Sequence, residues 1–246
     1  MNMRIDTVPI HYPDSDGKPM AENTLQAEWI VTIHGNLAIL FKDEPNVFVA
    51  MDNFIYPVSG DNTICTAPDV YVAFGRPKGH RGSYKVWQED NIFPQVVFEI
   101  LSPGNRRKEM RLKRTFYEQY GVEEYYVYDP DRITFEAWIR VSGELILQKS
   151  IPVSTSKRLG IRFDLSGEKL VISGPKNEPF LTFVERDELQ QNRVNTEKKR
   201  ADAEKNRANT EKNRANTEKN RANIEKQRAD TLAAKLRALG VDPDTL

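Results

Sequence analysis

The strongest constraint on this chain lies in its last quarter, where a seven-residue unit repeats almost without variation. ADAEKNR at 201–207 is followed by ANTEKNR at 208–214 and 215–221, then by ANIEKQR at 222–228. A sustained period of seven without Gly or Pro is a helical signal, so one continuous helix is expected from about Glu185 onward. Val194, Ala201, Ala208, Ala215, Ala222, Ala229 and Leu236 share one heptad position. The position three residues later is Glu through the repeats and becomes Leu only at Leu232 and Leu239. A coiled-coil seam needs two apolar positions, and only the last two heptads supply both. Pairs such as Arg200–Glu204 and Glu204–Arg207 are placed to support a solvated helix at i,i+4 and i,i+3. The tail therefore reads either as a charge-laced rod or as a weak seam between copies of the chain.

This tail also accounts for the composition. Hydrophobic residues make up 39% of the 246 and charged residues 29%. The apolar shortfall is concentrated after residue 184, so residues 1–184 read as one globular domain and 185–246 as a helical appendage. Lys+Arg and Asp+Glu both number 36. Affinity for a polyanion must then come from a local patch and not from the field of the whole molecule. The early Arg4 is followed by no apolar run, and no stretch approaches the roughly 18 apolar residues of a membrane span. Cys65 is the single cysteine, and the three histidines, His11, His34 and His80, are far apart in sequence. Neither a disulfide nor a Cys/His zinc site is expected, and the thiol usage suits a cytoplasmic protein.

Within the domain, an irregular lead-in precedes a helix expected from Glu22–Thr24 to Phe41 or Lys42, with Leu25, Trp29, Ile33, Leu37 and Leu40 as its apolar stripe. Strands are expected at Val47–Met51, Phe54–Pro57, Asp69–Phe74 and Val96–Leu101, then a helix over Arg106–Tyr120 closed by Gly121. Further strands follow at Tyr125–Tyr128, Thr134–Arg140, Glu144–Gln148, Ile161–Asp164 and Lys169–Ile172. This order describes an α/β fold, a mixed β-sheet core flanked by helices, and not a strictly alternating doubly wound sheet.

Chemistry concentrates in three segments. In PQVVFEIL, Glu99 sits within an apolar run, where a carboxylate is costly unless it is paired or holds a cation. In APDVYVAF, Asp69 stands at the mouth of another apolar strand. Two carboxylates on neighbouring strands can converge on a hard cation such as Mg²⁺. On the helix after Glu99, about 100° per residue places Glu109, Leu112, Lys113, Phe116, Tyr117 and Tyr120 on one face, with Arg107, Lys108, Arg111, Arg114 and Glu118 opposite. Lys113 at the centre of the buried stripe is either half of an inward Glu109–Lys113 ion pair or an ammonium held beside a metal and a phosphate.

The blocks APDVYVAFGRPKGHRGSYKVWQED, PQVVFEILSPGNRRKEM and YEQYGVEEYYVYDPD closely resemble the Uma-type endonucleases, a branch of the PD-(D/E)XK nuclease superfamily. The likeness covers roughly residues 10–184. It implies a restriction-endonuclease-like fold and metal-dependent hydrolysis of DNA, with Mg²⁺ or Mn²⁺ held by Asp69, Glu99 and the Ile100 carbonyl. The superfamily lysine stands two residues after the strand Glu, but here that residue is Leu101. The resemblance places the lysine's role on Lys113 in the following helix. It also draws attention to an acid from the first helix, for which Glu22 and Gln26, on the apolar stripe if the helix starts early enough, are the candidates. Glu109, one turn from Lys113 on the same helix face, is a further supporting candidate.

Two basic clusters flank these residues. Arg76, Lys78, His80, Arg81 and Lys85 are interleaved with Gly79, Gly82, Tyr84 and Trp87, and Arg106, Arg107, Lys108, Arg111 and Arg114 form the second. Of these, Arg76, Lys78, Arg81, Lys85, Arg106 and Arg107 are the expected contacts to a phosphate backbone. The alternative reading is a nucleic-acid-binding or assembly module in which the nuclease site has degenerated. Association of copies through the domain or the tail is open in both.

Overall fold

In a computed structural model of the chain, described for residues 10–15, 17, 19–104, 107–148 and 153–240, the molecule divides at Val184/Glu185 into two units. Among the described residues, the first holds two helices and eleven strands. Helix α1 (Thr24–Leu40) begins at Asn23, whose side-chain oxygen accepts the Gln26 amide, an N-cap that satisfies one of the unpaired first-turn donors. Strands β1 (Val47–Met51), β2 (Ile55–Tyr56), β3 (Val70–Phe74), β4 (Tyr84–Lys85) and β5 (Val96–Ile100) follow. Helix α2 (Arg107–Gln119) then crosses over to β6 (Glu124–Asp129), and Gly121, with φ +92°, takes the left-handed turn that ends it. The remaining strands are β7 (Thr134–Val141), β8 (Glu144–Leu147), β9 (Val153–Thr155), β10 (Arg162–Asp164) and β11 (Val171–Ser173).

Six strands form one mixed sheet in the order β1-β3-β5-β6-β7-β8. All neighbours are antiparallel except β5 and β6, the pair joined through α2. A parallel pair needs such a crossover, so α2 is held directly against the central strand. Strand β5 is buried on both faces, as its run VVFEI requires. One face packs Ile30, Ile33 and Leu37 of α1 against Val70, Val72, Val96 and Phe98, with Phe163 and Ile172 of the small β11-β10-β9 sheet completing the cluster. The other packs Tyr117 of α2 against Tyr71, Val97, Tyr125 and Val127. Each large apolar side chain so enclosed contributes about 1.5–3 kcal/mol.

Two helical stripes are rotated from the expected ones. In α1 the buried line is Gln26, Ile30, Ile33 and Leu37, while Leu25 is 38% exposed. Polar Gln26 and Asn36 face inward because each has acceptors or donors to meet there; Asn36 donates to the carbonyls of Thr32 and Leu181. In α2 the inward line is Met110, Lys113, Arg114 and Tyr117, and Leu112 is 62% exposed. Arg114 is drawn in because Trp138 of β7 lies beneath its guanidinium, 4.2 Å from the ring centre. The strands β4 and β9, and the single 3₁₀ turn at Val86–Gln88, were not evident from alternation because each is only two or three residues long.

The second unit is dominated by helix α3 (Phe183–Ala238), 56 residues with none buried and about 84 Å long at 1.5 Å per residue. Among the described residues, the repeats Ala201–Arg228 show no ion pair within 4 Å. The hydroxyls of Thr210 and Thr217 donate back to the carbonyls of Asn206 and Asn213. The expected i,i+3 and i,i+4 pairs are not formed there because long exposed side chains gain only a few tenths of a kcal/mol from pairing in water.

Candidate active site

Strand pairing places Asp69 opposite Glu99. Strands β3 and β5 pair Val70↔Phe98 and Tyr71↔Val97; extended one step, the register sets Asp69, the residue before β3, against Glu99, whose charge acts on it. Residues directly opposed in an antiparallel pair share a face with Cβ atoms about 4.5–5.5 Å apart. Asp69 and Glu99 thus look toward α2. The Asp69 Oδ2 also accepts the backbone N–H of Ile100 at 2.5 Å, which ties its carboxyl to the end of β5.

Glu99 is 2% exposed, and three groups make that burial tolerable. Lys113 Nζ lies 2.7 Å from its Oε2 and also donates to the Ala67 carbonyl at 3.3 Å. The Tyr117 hydroxyl donates to its Oε1 at 2.6 Å, and that hydroxyl lies 3.4 Å from Thr66 Oγ1. An unpaired carboxylate here would cost several kcal/mol; the ammonium and the phenol offset it. Lys113 and Tyr117 are one helical turn apart on α2, so one helix face delivers both donors.

The electrostatics follow from this packing. Burial first, then the neighbouring Glu99 carboxylate, pushes the Asp69 carboxyl from its ordinary 3.8 up to about 8, against the opposing pull of Lys113 and of the Ile100 amide. Burial alone would lower the Lys113 ammonium, but Glu99 and Asp69 outweigh it and hold it above the ordinary lysine range. Burial, and after it Glu99, raises the Tyr117 phenol well above its usual value, so it stays a donor.

The first helix braces this centre. Gln26 Nε2 donates to the Ile100 carbonyl at 2.8 Å, while its Oε1 accepts the Glu22 N–H at 2.8 Å. Glu22 accepts a hydrogen bond from Ser102 Oγ, on the loop just past β5. Gln26 therefore meets the end of β5 through its backbone, and Glu22 meets the following loop through the Ser102 side chain. Glu109 is exposed, and the inward Glu109–Lys113 pair is replaced by Glu99–Lys113, because a buried carboxylate competes for the ammonium better than a solvated one.

The first basic cluster is folded in on itself. Arg76 is 9% exposed, its Nε 2.9 Å from Glu89 Oε2, and it also pairs with Asp90. Arg81 Nε lies 2.6 Å from Glu89 Oε1, with its guanidinium 4.0 Å from the Phe48 ring centre. Lys78 donates to the carbonyls of Phe41 and Lys42, and Lys85 stands 5.5 Å over the Tyr12 ring. Glu89 supplies the carboxylate that draws in both arginines, which the sequence assigns to a phosphate backbone. In the second cluster Arg106 lies outside the described residues, and Arg107 is exposed at the start of α2. Tyr117 was legible on the buried stripe but its role was not, since its acceptor comes from a different element.

Among the described residues, no group of three or more His, Cys, Asp or Glu side chains is gathered to hold a metal. A divalent ion at this place would rest on Asp69, Glu99, backbone oxygen and water. That donor set suits Mg²⁺, which takes one or two carboxylates and keeps several waters. No described helix is long and apolar enough to cross a membrane.

A crystal structure described as a "putative nuclease belonging to DUF820" from Anabaena variabilis ATCC 29413 is similar over 56% of this chain and 74% of that one, with 16% identity and a TM-score of 0.42. No curated protein matches the sequence. The family Uma2, described as "Putative restriction endonuclease", matches residues 11–166, which include the opposed carboxylates, the lysine and the tyrosine. With well over half its length matched, the chain belongs to the Uma2 family.

Proposed function

We propose that the protein is a metal-dependent endonuclease that hydrolyses DNA phosphodiester bonds, with Mg²⁺ or Mn²⁺ held by Asp69, Glu99 and the Ile100 carbonyl. The observation that carries this reading is the opposition of Asp69 and Glu99 across β3 and β5, with Lys113 on the same buried carboxylate. In phosphodiester hydrolysis a water oxygen attacks phosphorus, the bond to one sugar oxygen breaks, and negative charge shifts onto that oxygen and the non-bridging oxygens. A bound divalent ion supplies Lewis-acid stabilisation of that charge. Lys113, fixed by Glu99 and the Ala67 carbonyl, carries a proton and a positive charge beside the two carboxylates. It is suited to orient the attacking water and to offset charge on the phosphate. Tyr117 holds Glu99 from behind, and Gln26 sets the position of the Ile100 carbonyl.

A second reading, a degenerate module that binds nucleic acid without cutting it, is favoured by one observation. Lys113 and Tyr117 already occupy both oxygens of Glu99, and Gln26 occupies that of Ile100. Incubation of supercoiled plasmid with wild type and Glu99→Ala, with Mg²⁺ or Mn²⁺ and with chelator, separates the two. Nicking by wild type alone, abolished by chelator, is expected. Absence of nicking under both metals, with DNA binding retained, selects the degenerate module.

A further inference from the structure

A groove runs between α2 and the open face of β6 and β7, one strand further along the sheet from Glu99. Its volume is about 640 Å³, within the range of ligand-binding clefts. Arg107, Arg111 and Arg114 enter it from α2 at i, i+4 and i+7, and Arg132 enters from the turn after β6. These four arginines face two carboxylates. Asp129 lies 3.8 Å from Arg132, and Glu136 accepts the Trp138 indole N–H at 2.9 Å. Arg107 and Arg111 are exposed and have no carboxylate partner among the described residues.

The floor is apolar and aromatic where the rim is basic. Trp138 lies there with Arg114 over its ring, a flat cation held inside the groove. Tyr125 also lines it; the residue is 1% exposed, and its hydroxyl has no hydrogen-bond partner among the described residues. Such a buried donor lacks the partner that an acceptor on a bound ligand would supply. Leu101, two residues beyond Glu99 on the same strand face, is part of the lining, so the groove adjoins the carboxylates.

We propose that this groove binds a single-stranded segment of polynucleotide, with Arg107, Arg111 and Arg132 on phosphates and an unpaired base over the Arg114–Trp138 pair. A basic rim with an aromatic floor is the arrangement that holds unpaired strands, whose bases are free to stack. A duplex keeps its bases inside and offers such a floor only phosphates. The substrate class rests on the nuclease reading of the Asp69–Glu99 site, but the groove itself does not require cleavage.

The test is fluorescence anisotropy of the full-length protein with a labelled single-stranded oligonucleotide and its duplex, in chelator so that nothing is cut. Arg107→Gln/Arg111→Gln is the variant of choice, because neither side chain supports the fold, and Arg207→Gln on α3 is the control. The single strand is expected to bind more tightly than the duplex. In the double variant its affinity should fall about tenfold or more, and the slope of log affinity against log salt should drop by about 1.4, two single-strand phosphate contacts. The control should match wild type, and melting temperatures should coincide. An unchanged affinity or slope in the double variant overturns the proposal. So does a duplex that binds as tightly as the single strand, or wild type that binds neither. Binding of the expected kind by a protein that cuts neither plasmid nor single-stranded DNA under Mg²⁺ or Mn²⁺ leaves the groove standing and removes the nuclease reading.

Discussion

Lys113 and Glu99 form a buried pair, Nζ to Oε2 at 2.7 Å, that joins the middle of α2 to the end of β5. Their side chains are 21% and 3% exposed, so the Glu99 carboxylate cannot reach water without moving the helix. The same contact neutralises a strand carboxylate and places an ammonium beside Asp69. Its removal has consequences for both stability and chemistry.

Lys113→Met leaves Glu99 with Tyr117 as its remaining side-chain donor. Stranding a buried carboxylate is expected to cost on the order of 3 kcal/mol in the metal-free protein. The melting temperature should fall by several degrees in chelator and recover in part with Mn²⁺, which restores a positive charge. Cleavage at saturating metal should drop about a hundredfold, the scale of losing one positioned electrostatic donor. Wild-type nicking by Lys113→Met, measured at a temperature where it is folded, removes the lysine from the mechanism.

Asp69 titrates in the folded protein at about 8 in place of 3.8, so between those values the native state binds more protons than the unfolded chain. Stability from this group is complete below about pH 4 and is lost as pH rises through 8. Thermal melts of the metal-free protein should therefore show a decline from pH 5 to pH 8.5 that is flattened in Asp69→Asn. Mg²⁺ or Mn²⁺ should raise the wild-type melting temperature, increasingly so as pH approaches 8, and should do little for Asp69→Asn. Equal metal responses in the two proteins would show that no cation rests on Asp69.

Gln26→Ala takes the side-chain donor from the Ile100 carbonyl and the acceptor from the Glu22 amide. The residue is 6% exposed, so the loss should be about 1–3 kcal/mol by chemical denaturation. If the Ile100 oxygen is a ligand, the Mn²⁺ concentration for half-maximal stabilisation should also shift. A stability change with an unaltered metal midpoint would assign Gln26 to packing alone.

Helix α3 has no buried residue, and Phe183 at its start is 82% exposed. A chain ending near residue 190 should therefore unfold cooperatively at a denaturant midpoint close to that of the full protein. An insoluble or non-cooperative truncation would show that the tail supports the domain.

Helix α3 is legible from sequence because its information is local: a seven-residue period without Gly or Pro admits one regular conformation. Glu99 and Asp69 were legible for a related reason, since a carboxylate within or at the mouth of an apolar strand must answer for its burial. Lys113 was visible as a charge on an apolar stripe, but its partner was not. The Glu99–Lys113 contact depends on α2 lying over β5, which the β5–β6 crossover imposes, whereas Glu109 was the partner within reach along the helix itself. Gln26 was legible on the α1 stripe, but the inward turn of Asn36 and the partners of both amides were hidden for the same reason. A buried amide reads as surface until its acceptors arrive, and those acceptors are the carbonyls of Ile100 and Leu181, 74 and 145 residues away. The arginines divide on this point too. Sequence clusters them by number, but the tertiary structure brings Glu89 to Arg76 and Arg81 and leaves Arg107 and Arg111 facing a groove. Local periodicity determines which side chains an element buries or bares; strand order and register, set by packing of the whole sheet, decide which of them meet.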